Sequence, residues 1–115
     1  MVDDDETVRT LVAGILRRHG YAIREASDGY EAIELIKQSE SIKLLLTDLT
    51  MSVKTGIELI REARAIEPNL SILAMSADAR SWAKELFGIP LLQKPFLIST
   101  LLREVESALM EKSAL

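Results

Sequence analysis

Apolar positions along the chain follow two alternating rhythms. From Thr7, apolar residues fall at Val8, Leu11, Val12, Ile15 and Leu16, the i, i+3, i+4, i+7 stripe of an amphipathic helix. Arg17, Arg18 and His19 make a cationic last turn, and Gly20 stands where a helix commonly ends on glycine. Gly14 inside this helix costs about 1 kcal/mol against alanine, and close packing is the only reason the sequence offers for it. "YAIREA" then alternates as a short strand before the turn residues Ser27, Asp28 and Gly29. A second helix is expected from about Tyr30 to Gln38, with Ala32, Ile33 and Ile36 inward.

"IKLLLTDL" has no alternation, as expected of a parallel strand buried on both faces. Ser52 to Gly56 reads as a loop, and Ile57, Leu59, Ile60 and Ala63 begin a third helix that stops before Pro68. "LSILAMSA" is another buried strand, "DARSWAKELFG" a helix candidate broken by Gly88 and Pro90, and "PLLQKPF" a brief strand ended by Pro95. Ile98, Leu101, Leu102, Val105 and Leu109 space out a last helix. Helices alternating with short apolar strands predict βα units around a parallel sheet. The first strand is the odd one: Val2 is its sole clear member, so it reads as clipped. With no repeat, linker or low-complexity segment, residues 1–115 read as one domain.

Composition narrows the chemistry. Hydrophobic residues make up 48% and charged residues 28% of the 115 positions, a globular balance with core enough for one domain. A net charge of −4 argues against direct contact with nucleic acid or an anionic membrane, and aromatics at 4% argue against base stacking. No cysteine is present and His19 is the sole histidine, which excludes thiolate sites and multi-histidine metal centres. No apolar run approaches a membrane span and no signal peptide opens the chain, so the cytoplasm is the expected location and no membrane insertion is expected.

Ligands of an open parallel sheet gather at the carboxyl ends of its strands. Asp3, Asp4 and Asp5 follow the first strand, Asp48 the third, Ser76 the fourth and Lys94 the fifth. Neighbouring carboxylates repel unless a divalent cation sits between them, and hard oxygen donors suit Mg²⁺. A lysine and a hydroxyl opposite such a cation can neutralise and hold a phosphoryl group. Asp48 is then available as a nucleophile that forms an acyl phosphate.

These residues resemble the receiver domain of two-component response regulators. "VDDD" is similar to the acidic pair of that family, placing it on Asp3 and Asp4. "LLLTDLTM" places the phosphoacceptor on Asp48 and a metal-binding backbone carbonyl on Thr50. "ILAMSA" places the hydroxyl on Ser76, and "LLQKPF" places the lysine on Lys94, followed by a Lys94–Pro95 bond that is cis in relatives. No one motif is specific alone; four in order, each at a strand end, are. The resemblance implies a three-layer, flavodoxin-like (βα)₅ α/β fold with a five-stranded parallel sheet in the order 2-1-3-4-5. It implies Mg²⁺ (or Mn²⁺) at Asp3, Asp4, Asp48 and Thr50. It implies a sensor histidine kinase or histidine phosphotransfer protein as partner, and no catalysis beyond the domain's own phosphorylation and dephosphorylation. A homodimer through the last helices is left open.

Each feature has a plainer reading. Asp5 and Glu6 suit a helix N-terminus, Ser76 suits an N-cap, Lys94 alone would be a surface lysine, and His19 a helix-end residue. Trp82 and Phe87 read as core or partner-facing residues. The chain also departs from the family. Ser52 stands where a proline is common, Thr55 where an acid often precedes the glycine, and Leu91 where many receivers carry a switching Tyr or Phe. The interval from Ser76 to Lys94 is short for the family, so the fourth helix is expected to be trimmed. The wording "GIPLLQKPF" is similar to receivers of hybrid histidine kinases, and the clipped strand fits a stand-alone receiver or an excised domain. The competing reading is a phosphorylation-independent interaction module on the same fold. A small flavodoxin-like or hydrolase domain fits less well, since no Gly-rich phosphate loop follows the first strand and no nucleophile–base–histidine set is present.

Overall fold

The computed structural model describes residues 1–39, 41–86 and 88–113. Helix α1 spans Glu6–Arg18 and α2 spans Gly29–Gln38, followed by strand β1 at Leu44–Asp48. Helix α3 spans Gly56–Ile66, strand β2 Ser71–Ser76, and a 3₁₀ turn at Ala79–Trp82 leads into the one-turn α4 at Ala83–Leu86. Strand β3 is Leu91–Gln93 and α5 is Ile98–Ser113.

The helices begin where polar side chains satisfy their free amides. The Asp5 carboxylate accepts from Thr7 N and Val8 N, and that of Asp28 from Glu31 N. Thr55 and Glu58 form a reciprocal capping box on α3, so the departure at Thr55 exchanges an acid for a hydroxyl that caps. His19 closes α1 with Nδ1 3.0 Å from Ile15 O, and Gly20 follows at φ 92°, a left-handed position that suits glycine.

Strands β1, β2 and β3 pair in parallel and in that order, with Leu46 opposite Leu73 and Met75 opposite Leu92. Alternate residues feed two apolar cores. Val12, Ile15 and Leu16 of α1 meet Leu46, Leu73, Leu101 and Val105 on one face. Ala32, Ile33 and Ile36 of α2 and Ile57, Ile60 and Ala63 of α3 meet Leu45, Ile72 and Ala74 on the other. The result is helices on both faces of a parallel sheet, the three layers expected. No helix among the described residues is long and apolar enough to cross a membrane.

Three expectations meet the structure in different ways. The parallel sheet is present, with three paired strands among the described residues in the order of the last three of the five expected. The first two are reduced to single parallel bridges, from Val2 to Ala26 and from Val2 to Thr47. These place Val2 between the "YAIREA" segment and β1. Second, the fourth helix is trimmed as the short Ser76–Lys94 interval implies: the first half of its segment tightens to 3₁₀, and Phe87 lies outside the described residues. Third, Gly14 is not closely packed, because a Cβ there would meet nothing within 4 Å. Gly14→Ala is therefore expected to stabilise the protein by about 1 kcal/mol, raising Tm by about 5 °C in a calorimetric scan.

Candidate functional site

The carboxyl ends of the parallel strands bring five of the singled-out residues together. Val2 hangs between β1 and Ala26 through Val2 N–Leu46 O at 2.8 Å and Asp48 N–Val2 O at 3.0 Å. Asp3 and Asp4 thereby emerge beside Asp48, the last residue of β1. One carboxylate oxygen from each of Asp3, Asp4 and Asp48 lies within 4.8 Å of the other two. Asp3 and Asp48 are buried and Asp4 is exposed.

Lys94, just past β3, reaches across the sheet end. Its Nζ lies 3.0 Å from Asp3 Oδ2 and 3.3 Å from Asp48 Oδ1. Lys94 N donates to Ser76 O at 2.8 Å, which fixes the lysine to the end of β2, and the Lys94–Pro95 bond is cis as the resemblance implies. Ser76 is fully buried, and its Oγ accepts from Asp78 N at 3.0 Å. This bond turns the chain just before the 3₁₀ segment and leaves the hydroxyl at the carboxyl end of β2.

Electrostatics follow from burial and charge. Burial pushes the Asp48 pKa up, with Asp3 and Asp4 adding repulsion, while Lys94 pulls it the other way; the net direction is up. Burial pulls Lys94 down, but its hydrogen bond to Asp3 and the charge of Asp48 outweigh this, so its pKa is raised and it stays an ammonium. Three clustered hard oxygen donors, one of them resisting ionisation, suit a small divalent cation.

Other expected positions fall differently. Thr50 is exposed in the loop two residues beyond Asp48. Leu91 opens β3, half-buried against the α2–α3 core, where it packs as an aliphatic residue. Trp82 also packs partly against that core, and His19 sits at the far end of α1.

Four supporting residues escaped the sequence reading. Ser52, noted there only as a missing proline, donates to Asp4 Oδ2 through its amide at 3.2 Å and its hydroxyl at 3.4 Å. Arg9 Nη1 donates to Asp3 O at 2.8 Å; its position one turn after the Asp5 cap is the only local hint. Gly56 closes the loop after β1, where a Cβ would stand 2.4 Å from Asp48 O. Lys54 in the same loop is buried, paired with Glu62 and held 4.5 Å above the Tyr30 ring, an arrangement no local pattern announces.

A parallel three-layer α/β domain with acids, a hydroxyl and a lysine converging at its strand ends defines a flavodoxin-like receiver class. The chain belongs to the response regulator receiver domain family, whose model matches residues 1–106. It is similar to the response regulator receiver protein CpdR of Brucella abortus, at 32% identity over 96% of this chain and 94% of that protein. It is similar to sporulation initiation phosphotransferase F of Bacillus subtilis, at 28% identity over 98% and 94%. Among solved structures, a response regulator receiver protein from Sinorhizobium medicae superposes with a TM-score of 0.86 at 28% identity, covering 96% of this chain and 92% of that one. The receiver domain of the hybrid histidine kinase CckA superposes with a TM-score of 0.81 at 31% identity, covering 94% of each.

Proposed function

We propose that this receiver domain accepts a phosphoryl group on Asp48 from a sensor histidine kinase or a histidine phosphotransfer protein, with Mg²⁺ (or Mn²⁺) bound by Asp3, Asp4, Asp48 and the Thr50 carbonyl. The observation that carries this is the cluster of three carboxylates with Lys94 lying across the two buried ones. When bound, the cation offsets the acids' mutual repulsion and supplies a positive charge to phosphoryl oxygens.

The roles of the protein groups follow from what already occupies them. Asp3 has Oδ1 engaged by Asp5 N at 3.0 Å and Oδ2 by Lys94, and Asp4 Oδ2 accepts from Ser52, which suits these two acids to holding the cation. Asp48 lies at the strand end with Oδ1 beside the ammonium. A carboxylate oxygen of Asp48 attacks the phosphorus in line, forming the Asp48 O–P bond as the bond to the donor nitrogen or oxygen breaks and its electrons leave with the donor. Lys94 then shifts its charge toward the transferred oxygens. Ser76, already accepting from Asp78 N, retains its hydroxyl hydrogen for a phosphoryl oxygen.

The names of two relatives, a phosphotransferase and a hybrid histidine kinase receiver, favour a place in phosphoryl relay. The domain would work in the cytoplasm and catalyse no reaction beyond its own phosphorylation and dephosphorylation. An interaction module indifferent to phosphorylation would not need this complete set of acids, hydroxyl and lysine. Incubation with acetyl phosphate and Mg²⁺, followed by intact-mass spectrometry, is expected to show one added phosphoryl group that disappears with EDTA. An unchanged mass under both conditions would favour the interaction module.

A further inference from the structure

The loop after β1 is closed at its two ends and held between them by side chains. Gly56 N donates to Leu49 O at 3.0 Å, and Leu49 N to Met75 O at 2.9 Å, so the loop starts and ends at one point beside the sheet. Among the described residues, no other backbone hydrogen bond joins positions 50–55 to one another. The path of the loop therefore rests on what its side chains reach. Thr50, Ser52 and Val53 are exposed, whereas Met51 and Lys54 are buried. Met51 joins the apolar core that α2 and α3 cover, a contact without direction. Lys54 supplies the directional one.

Three contacts converge on that lysine. Its stem lies along the first residue of α2, where a Cβ on Gly29 would stand 3.0 Å from both Lys54 Cβ and Cγ. Its ammonium donates to Glu62 Oε1 on α3 and sits 4.5 Å from the centre of the Tyr30 ring on α2. Burying a charge is unfavourable unless it is paired, and an aliphatic side chain would fill the same space without that penalty. What the charge adds is a fixed place, because carboxylate and ring face together define where the ammonium stands. One side chain so ties the loop to two helices.

Two residues earlier in the loop, Ser52 donates to Asp4 Oδ2 through its amide and its hydroxyl. Asp4 is the exposed member of the three acids, and these bonds hold its carboxylate. Asp3 and Asp48, by contrast, are buried and share the Lys94 ammonium. The loop sets the place of the third acid, and Lys54 sets the place of the loop. We propose that Lys54 is a positioning residue for the cation site: pinned by Glu62 and Tyr30, it holds Ser52 where Ser52 keeps the Asp4 carboxylate beside those of Asp3 and Asp48. This inference rests on the reading of the three acids as cation ligands.

Lys54→Met keeps an unbranched stem and removes the ammonium. It is expected to weaken Mn²⁺ binding about 10-fold, read from the paramagnetic resonance of the free ion. In the metal-free protein, the amide order parameter of Ser52 from NMR relaxation should fall from about 0.85 to below about 0.6. Glu62→Gln should do both as well, and the double variant no more than either alone, since one broken pin already frees the loop. The Glu62 side chain is half exposed, so its variant carries the test if Lys54→Met does not fold. A lysine that only stabilises the fold would lower Tm and leave both readouts unchanged, which would overturn the proposal, as would either change without the other. Wild type that takes up no Mn²⁺ would overturn the cation reading and this inference with it. Wild-type binding that neither variant alters would overturn this inference alone.

Discussion

Asp48→Asn is expected to abolish phosphoryl uptake and, in the same molecule, to raise the stability of the metal-free fold. Uptake is lost because the substitution removes the proposed acceptor oxygen at the end of β1, beside the Lys94 ammonium. Stability rises because burial and the charges of Asp3 and Asp4 together outweigh Lys94 in setting the Asp48 pKa above its ordinary value. A folded-state pKa raised in this way means the ionised carboxylate destabilises the fold, in full above the folded pKa. The penalty fades as pH falls toward 3.8, where the unfolded chain also takes up its proton. Metal-free Asp48→Asn should therefore melt above wild type at pH 7, with the gap closing in acid. Wild type should gain Tm with millimolar Mg²⁺ by mass action, and the variant should lose most of that gain. Two calorimetric series and one mass spectrum decide the matter. Labelling that survives the substitution would sink the assignment of Asp48 as acceptor.

Lys94→Met should be damaging in both respects. Phosphoryl transfer from acetyl phosphate is expected to slow about 100-fold or more, the usual cost of losing one charge-stabilising donor. Asp3, with 1% of its surface exposed, would also lose the ammonium beside its Oδ2. Leaving a buried carboxylate without its cation costs about 3 kcal/mol, so a clear drop in Tm should accompany the loss of rate. The pH profile distinguishes this from simple misfolding. Lys94 has a raised pKa in the fold, so its stabilising contribution is complete below about pH 10.5 and is lost as pH climbs through the higher folded value. Wild type should show that alkaline limb and Lys94→Met should lack it. Lys94→Arg should recover most of the stability while recovering less of the rate, because a planar guanidinium cannot reproduce the point charge of an ammonium.

The parts of the fold visible in the sequence are those where period and burial coincide. The all-apolar runs of β1 and β2 and the stripes of α1, α3 and α5 each allow only one arrangement of their apolar faces. The "YAIREA" segment alternates correctly yet is not a strand, because strand formation depends on a neighbour that local pattern cannot supply. Gly14 shows the converse: glycine in a helix invites a packing explanation, and only coordinates show that the space beside it is open.

At the site, Asp48, Ser76 and Lys94 are legible because they end or directly follow the three parallel strands, and Asp3 and Asp4 because the Val2 bridges bring them to the same edge. Ser52, Arg9 and Lys54 are not legible, since each acts through a contact with a residue remote in sequence or on another face of its element. Lys54 is the clearest case. A charged residue in a loop reads as solvated, but its stem runs past Gly29, where even a Cβ would stand 2.6 Å from Lys54 Cδ. The pair is reciprocal: the lysine is buried because the glycine leaves room for it.

The shortened stretch between β2 and β3 carries the chain's one tryptophan, Trp82, at the end of the 3₁₀ turn and half-covered by the core. Indole emission from this protein therefore has a single origin, six residues along the chain from the Ser76 hydroxyl. Light collected from an unlabelled sample reports on that one neighbourhood, so the native chain already carries an optical probe in the segment that joins β2 to β3.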